Sequence, residues 1–199
     1  MFCGRLTDAQ RAALAPHAAA AVVAYDLGAG NGAMARELLA AGARFVVAVE
    51  KEEHRAPRHD PEGRVEWHAA YFAQFLARAP RVIPLALVSW PVNTPTPGLV
   101  ELCARADVVA YLGKNTDHTV CGTRALFAHL ARRPVLTEVR ERRNDLVIYG
   151  RGSVTRALVA EEVGALADAP LAWEVAGELA RILGDATADL VPQLPESPR

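Results

Sequence analysis

Short apolar runs rich in β-branched residues recur along the chain and read as strands. They span Ala21 to Asp26, Arg44 to Glu50, Arg64 to His68, Arg81 to Ser89 and Ala106 to Leu112. Segments with apolar residues at helical spacing lie between them. Thr7-Asp8-Ala9-Gln10 fits a capping box and predicts a helix from Asp8 to about Ala15, which Pro16 bends or ends. Further helices are predicted at Ala33 to Ala41, stopped by Gly42, and at Tyr71 to Ala79, Leu99 to Arg105 and Thr123 to Arg132. Lys51 to Arg58 is polar and holds at most a short helix. Two last strands, Pro134 to Val139 and Asp145 to Tyr149, flank Arg140-Glu141-Arg142-Arg143-Asn144, which reads as a hairpin. Helices are expected at Ser153 to Leu166 and Ala172 to Leu183, then a loose tail from Asp185. Strands alternating with helices predict a three-layer α/β fold. Its seven-stranded sheet is mostly parallel, with the last strand antiparallel through the hairpin. One domain is expected over residues 1–184.

Composition narrows the class. The chain has 199 residues, 51% of them apolar, which is enough to bury a sizeable core. Lys plus Arg (22) nearly balances Asp plus Glu (23), so no global basic field points to nucleic acid. Cys3, Cys103 and Cys121 are far apart and odd in number. They read as reduced thiols of a cytoplasmic protein, not as a disulfide framework. No apolar run reaches transmembrane length, and the N-terminus has no secretory pattern.

The chemistry concentrates at Asp26-Leu27-Gly28-Ala29-Gly30-Asn31-Gly32, between the first strand and the first inter-strand helix. Glycines at alternate positions let the main chain press against a ligand with no Cβ in the way. An acid two residues before Gly28 favours a cationic aminoacyl-nucleoside over a dinucleotide. Glu50 ends the second strand about twenty residues past the glycines, where nucleotide-binding folds place a ribose acceptor.

In element order, glycine motif and Glu50, residues 20–150 resemble the class I S-adenosylmethionine-dependent methyltransferases, a Rossmann-like superfamily. The resemblance implies S-adenosyl-L-methionine as cofactor. Gly28, Ala29, Gly30, Asn31 and Gly32 would form the floor under its methionine part. Asp26 would hold its ammonium, directly or through water. Glu50 would accept from the ribose hydroxyls, with Lys51, Ala70, Tyr71 and Ser89 completing the lining. The family often has an acid after the third strand, near the adenine amino group. This chain has Ala69-Ala70-Tyr71 there, so Tyr71 or a backbone N–H is the expected replacement.

Methyl transfer from a sulfonium needs alignment in a dry pocket more than activation. In open α/β sheets that pocket lies beyond the carboxyl ends of the strands. After the fourth strand comes Ser89-Trp90-Pro91-Val92-Asn93. Amino-methylating relatives carry Asn, Asp or Ser, two prolines and an aromatic residue here. The match is partial and leans toward nitrogen methylation, with Ser89, Trp90 and Asn93 as candidate catalytic residues; the alternative is a packed corner. After the fifth strand, Gly113 to Gly122 contains His118 as a candidate proton acceptor and Asn115 or Asp117 as orienting groups. A surface loop has the same composition.

Other motifs dissolve on inspection. Gly113-Lys114-Asn115-Thr116 lacks the spacing of a phosphate loop. His54, His59 and the cysteines have no zinc spacing, and no metal is expected. Arg140, Arg142 and Arg143 are diluted by Glu138, Glu141 and Asp145 and read as a solvated turn. Two rival functions stay open. Gly28 to Ala33 also fits the G-x-G-x-x-A pattern of an NAD-dependent oxidoreductase, against which stand Asp26 and the missing catalytic domain. The other is a non-catalytic protein that binds the cofactor or a partner. The methyl acceptor, a macromolecule or a small molecule, and the oligomeric state are not legible.

Overall fold

A computed structural model describes residues 5–51, 62–114, 121–142 and 144–151 of the chain. Their elements run α1 (Asp8–Ala21), β1 (Val23–Leu27), α2 (Ala33–Ala40), β2 (Phe45–Glu50), β3 (Val65–Ala69), α3 (Phe72–Leu76), β4 (Ile83–Ser89), α4 (Leu99–Arg105), β5 (Ala106–Gly113), α5 (Arg124–Leu130), β6 (Val135–Val139) and β7 (Asp145–Tyr149). The helices expected from Ser153 onward, the segment after Lys51 and the Asn115-to-Val120 stretch lie outside the described residues.

The strands form one seven-stranded sheet in the order β3-β2-β1-β4-β5-β7-β6. The contacts among β1 to β5 are parallel, and β7 runs antiparallel to both β5 and β6. Strands covered on both faces need apolar residues at every position, which is why β1, β2, β4 and β5 read as continuous runs. Successive side chains still divide between the faces. Tyr25, Leu27, Val49, Val88 and Tyr111 pack with residues of α3, α4 and α5. Ala24, Val46, Leu87 and Leu112 pack with Leu14, Ala18, Met34 and Leu38 of α1 and α2. Asp26, two residues past Ala24, therefore projects toward the α1–α2 layer.

The expected end of α1 near Ala15 is corrected. The helix continues through Pro16 to Ala21. Burial of Leu14 and Ala18 outweighs the one backbone hydrogen bond that proline removes. The capping box at Thr7 and Gln10 forms as expected, and Gln10 Nε2 also donates to the Asn144 carbonyl.

Between α1 and β1, Val22 has φ 59° and ψ −54°, the strained γ-turn region, with its side chain 47% exposed. Its carbonyl accepts from Arg44 N at 3.1 Å and Phe45 N at 3.0 Å, which holds the strained form. Valine gains little packing here and carries a backbone cost that glycine lacks. Val22→Gly is therefore expected to stabilise the fold by about 1 kcal/mol, read from urea unfolding midpoints. A loss of stability would show that packing by the valine side chain matters more.

Candidate functional site

The sheet reverses its order of growth between β1 and β4, the switch point where open α/β sheets place ligands. The turn after β1 and the loop after β4 face each other there.

The turn after β1 is pinned by β2. Gly28 N and Ala29 N both donate to the Val49 carbonyl, at 2.9 and 3.1 Å. Gly32 N donates to the Ala29 carbonyl at 2.8 Å, and Asn31 Oδ1 accepts from Ala33 N at 3.1 Å. Gly28, Gly30 and Gly32 all have positive φ, at 84°, 53° and 76°. A Cβ added to Gly30 meets no heavy atom within 4 Å, so that main chain borders open space. One added to Gly28 lies 3.9 Å from the Phe72 ring, which places the start of α3 beside the turn. Gly32 caps α2.

Glu50 ends β2 with its carboxylate against this turn. One oxygen accepts from Gly30 N and the other from Lys51 N, both at 2.9 Å. The Lys51 side chain is exposed. Each carboxylate oxygen keeps a further lone pair for a ligand. The Glu50 carbonyl accepts from Ala70 N at 2.9 Å, which joins the exit of β3 to the same place.

Asp26 is fully buried, and neither carboxylate oxygen has a hydrogen-bond partner among the described residues. Burial pushes its pKa up to about 7; the Ala35 N–H, near but outside hydrogen-bond geometry, pulls the other way, and the nearby Glu50 charge adds to the rise. A buried carboxylate without a partner is costly, so each one needs an explanation. A cationic ligand group at the turn supplies one.

Of the sequence-predicted cofactor residues, Asp26, Gly28 to Gly32, Glu50 and Ala70 thus meet at one place. Tyr71 caps the start of α3; it is 60% exposed, and its N–H donates to Gln74 Oε1 at 3.2 Å.

The acceptor side is built from the exits of β4 and β5. Trp90 follows Ser89 with φ 48°, an uncommon conformation for a bulky residue. Trp90 N donates to the Leu112 carbonyl, and the Pro91 carbonyl accepts from Gly122 N, both at 2.8 Å. These bonds tie the two loops together. The ring of Trp90 packs against the core, while its buried Nε1 has no partner among the described residues. Ser89 is partly buried and Asn93 exposed. His118, Asn115 and Asp117 lie outside the described residues. The ends of that stretch are held by Tyr111, whose hydroxyl donates to the Lys114 carbonyl at 3.1 Å and lies 3.0 Å from Cys121 Sγ. Burial pushes the Tyr111 phenol up, so it stays protonated.

Among the described residues no group of three metal-ligating side chains occurs, and no helix is long and apolar enough to cross a membrane. Cys103 and Cys121 are buried. In the hairpin, Arg140 pairs with Glu138 at 2.9 Å.

No family model matches the sequence, and no curated protein sequence matches it. Solved structures do. An O-methyltransferase from Bacillus cereus in complex with SAH is 13% identical, with a TM-score of 0.56 over 75% of this chain and 84% of that one. The candidate methylase HI0767 from Haemophilus influenzae is 14% identical, with a TM-score of 0.51 over 77% and 92%. The candidate methyltransferase yhhF from Escherichia coli is 17% identical, with a TM-score of 0.50 over 77% and 91%. The chain has the Rossmann-like fold of the class I methyltransferases.

Proposed function

We propose that the chain is an S-adenosylmethionine-dependent methyltransferase. The observation that carries this reading is Asp26, a buried carboxylate without a partner behind a glycine turn whose main chain is bare at Gly30. The cofactor's ammonium matches that charge, and its ribose hydroxyls match the remaining lone pairs of Glu50. The Bacillus cereus neighbour, described with the demethylated product SAH, has the same fold and supports this choice.

The cofactor supplies a methyl group already activated on sulfur. The residues therefore act by binding, orienting and excluding water. Asp26 would hold the ammonium of the donor, and Glu50 its ribose, against the turn. The linked loops of Trp90-Pro91 and Cys121-Gly122 form the wall across from it. Ser89, partly buried at the end of β4, and the ring of Trp90 suit a planar amine as acceptor, the nitrogen lean of this site. Deprotonation of that amine falls to the β5 loop, which carries His118.

Calorimetric titration with S-adenosylmethionine, S-adenosylhomocysteine and NAD tests the cofactor. Binding of the first two alone is expected, and Glu50→Ala is expected to weaken it about tenfold. Binding of NAD alone would favour the oxidoreductase reading. Formation of S-adenosylhomocysteine in a cell extract then separates an enzyme from a binder, and stability of the transferred methyl group to alkali separates nitrogen from ester products.

A further inference from the structure

The end of the sheet away from the glycine turn carries charge and exposed apolar groups that the cofactor reading does not use. They gather at the corner of β4, β5, β7 and β6, which are neighbours in that order. Arg81 and Arg105 stand just before β4 and β5, Arg132 just before β6, and Arg151 just after β7. Because β7 runs antiparallel to β5 and β6, all four arginines lie at the same end. The charges of Arg81 and Arg105 repel each other, as do those of Arg151 and Arg133. Asp107 lies 3.3 Å from Arg151. At the same corner Val82, Val135 and Leu136 are 46%, 57% and 49% exposed. Apolar side chains set among cations suit an acidic, amphipathic occupant.

The chain itself supplies one. It leaves β7 against this corner: Gly150 N donates to the Pro134 carbonyl at 2.8 Å, and a Cβ on Gly150 would lie 3.1 Å from Pro134 and 3.2 Å from Leu136. After Arg151 the sequence continues to residue 199 with eight acids against three arginines, whereas cations outnumber acids in the part before. In the helix that the spacing predicts at Ala172 to Leu183, Val175, Leu179 and Ile182 fall on one stripe, and Glu174 and Glu178 border it.

We propose that residues 172–183 dock on this corner, their apolar stripe over Val135 and Leu136 and their acids among Arg132 and Arg151. The four strands span only about 14 Å. The roughly twenty residues between Arg151 and Ala172 cross that distance with ease. A second copy of the chain is a poorer occupant, since a two-fold contact would set the same arginines against each other. The docked segment covers the outer strand β6 and leaves the mouth of the cofactor site free, because that site lies at the opposite end of the sheet. The proposal therefore stands or falls independently of the cofactor.

The test puts the photoreactive residue p-benzoylphenylalanine in place of the exposed Val135 in the purified full chain and maps its cross-links by peptide mass spectrometry. Cross-links to residues 172–183 of the same chain are expected. Leu179→Glu, which sets a charge in the stripe, is expected to remove most of that product. Arg132→Glu combined with Arg151→Glu is expected to reduce it at low ionic strength, where surface charges are least screened. Cross-links to a second copy, to other parts of the chain alone, or to nothing would overturn the proposal. So would a yield that Leu179→Glu leaves unchanged; should that variant fail to fold, the double arginine variant decides by the same reading.

Discussion

Asp26→Asn is expected to make the protein more stable at pH 8 and a poorer binder of S-adenosylmethionine. The carboxyl sits fully buried, and burial raises its pKa from 3.8 to about 7. Between those values the native state holds a proton that the unfolded chain has released. Stability from this group is full below about pH 4, is lost as pH rises toward 7, and stays lost above it. The total reaches at most about 4 kcal/mol. Asparagine copies the shape of the protonated acid and never ionises, so it escapes that loss. The stability gap between variant and wild type is expected to be roughly 2–3 kcal/mol wider at pH 8 than at pH 5, measured by urea unfolding. A gap that does not change with pH would mean that Asp26 ionises freely in the folded state.

The same substitution removes the charge that a cationic ligand group would meet. Affinity is expected to fall about tenfold or more, by titration at pH 8. In wild type, affinity is expected to rise with pH up to about 7 and then level, since only the ionised carboxyl attracts an ammonium. A gain in stability coupled to a loss of binding is the pattern of a residue kept for function.

The parts of this site visible in the sequence are those set by local chemistry. Gly28, Gly30 and Gly32 adopt positive φ because the turn demands it, and a glycine triplet after an apolar strand announces that demand. Glu50 is visible because the strand ends on it. The strands of the sheet centre were legible because burial on both faces leaves an unbroken apolar run. Strand order was not. Nothing in the residues of β6 and β7 states that β7 inserts between β5 and β6. Helix α1 passes Pro16 because of tertiary burial at Leu14 and Ala18, which local propensity cannot register. Gly98 is another case. A Cβ there would lie 2.6 Å from Ala73 N, so the start of α4 crosses α3 at a distance that only glycine allows. That contact joins residues far apart in the chain.

Arg133 belongs with these long-range features, and its removal is expected to cost more stability than any other single change considered. In sequence it was an unremarked residue between a helix and a strand. In the fold it is 3% exposed and has no carboxylate partner among the described residues. Its guanidinium donates instead to main-chain carbonyls: Nε to Gly150 at 2.6 Å, Nη1 to Cys103 at 2.8 Å, and Nη2 to Ala106 at 2.6 Å and Asp107 at 3.2 Å. One side chain thereby joins the end of α4, the start of β5 and the end of β7. Burial lowers its pKa, but a guanidinium remains charged in proteins. Arg133→Met fills similar space and strips the guanidinium from these carbonyls, of which Cys103 keeps the Ala106 N–H, so a loss of about 3 kcal/mol is expected from urea unfolding. Arg133→Lys keeps the charge but cannot span the carbonyls as a planar fork, and an intermediate loss is expected. His129 reports on the same place. Burial, then the charges of Arg133 and Arg132, lower it to about 4, so it is neutral near pH 7. In Arg133→Met its titration midpoint is expected to rise, as followed by NMR of the imidazole. An unfolding midpoint within experimental error of wild type in Arg133→Met would show that water or a neighbouring group satisfies those carbonyls, and that the β5–β7 edge does not depend on the guanidinium.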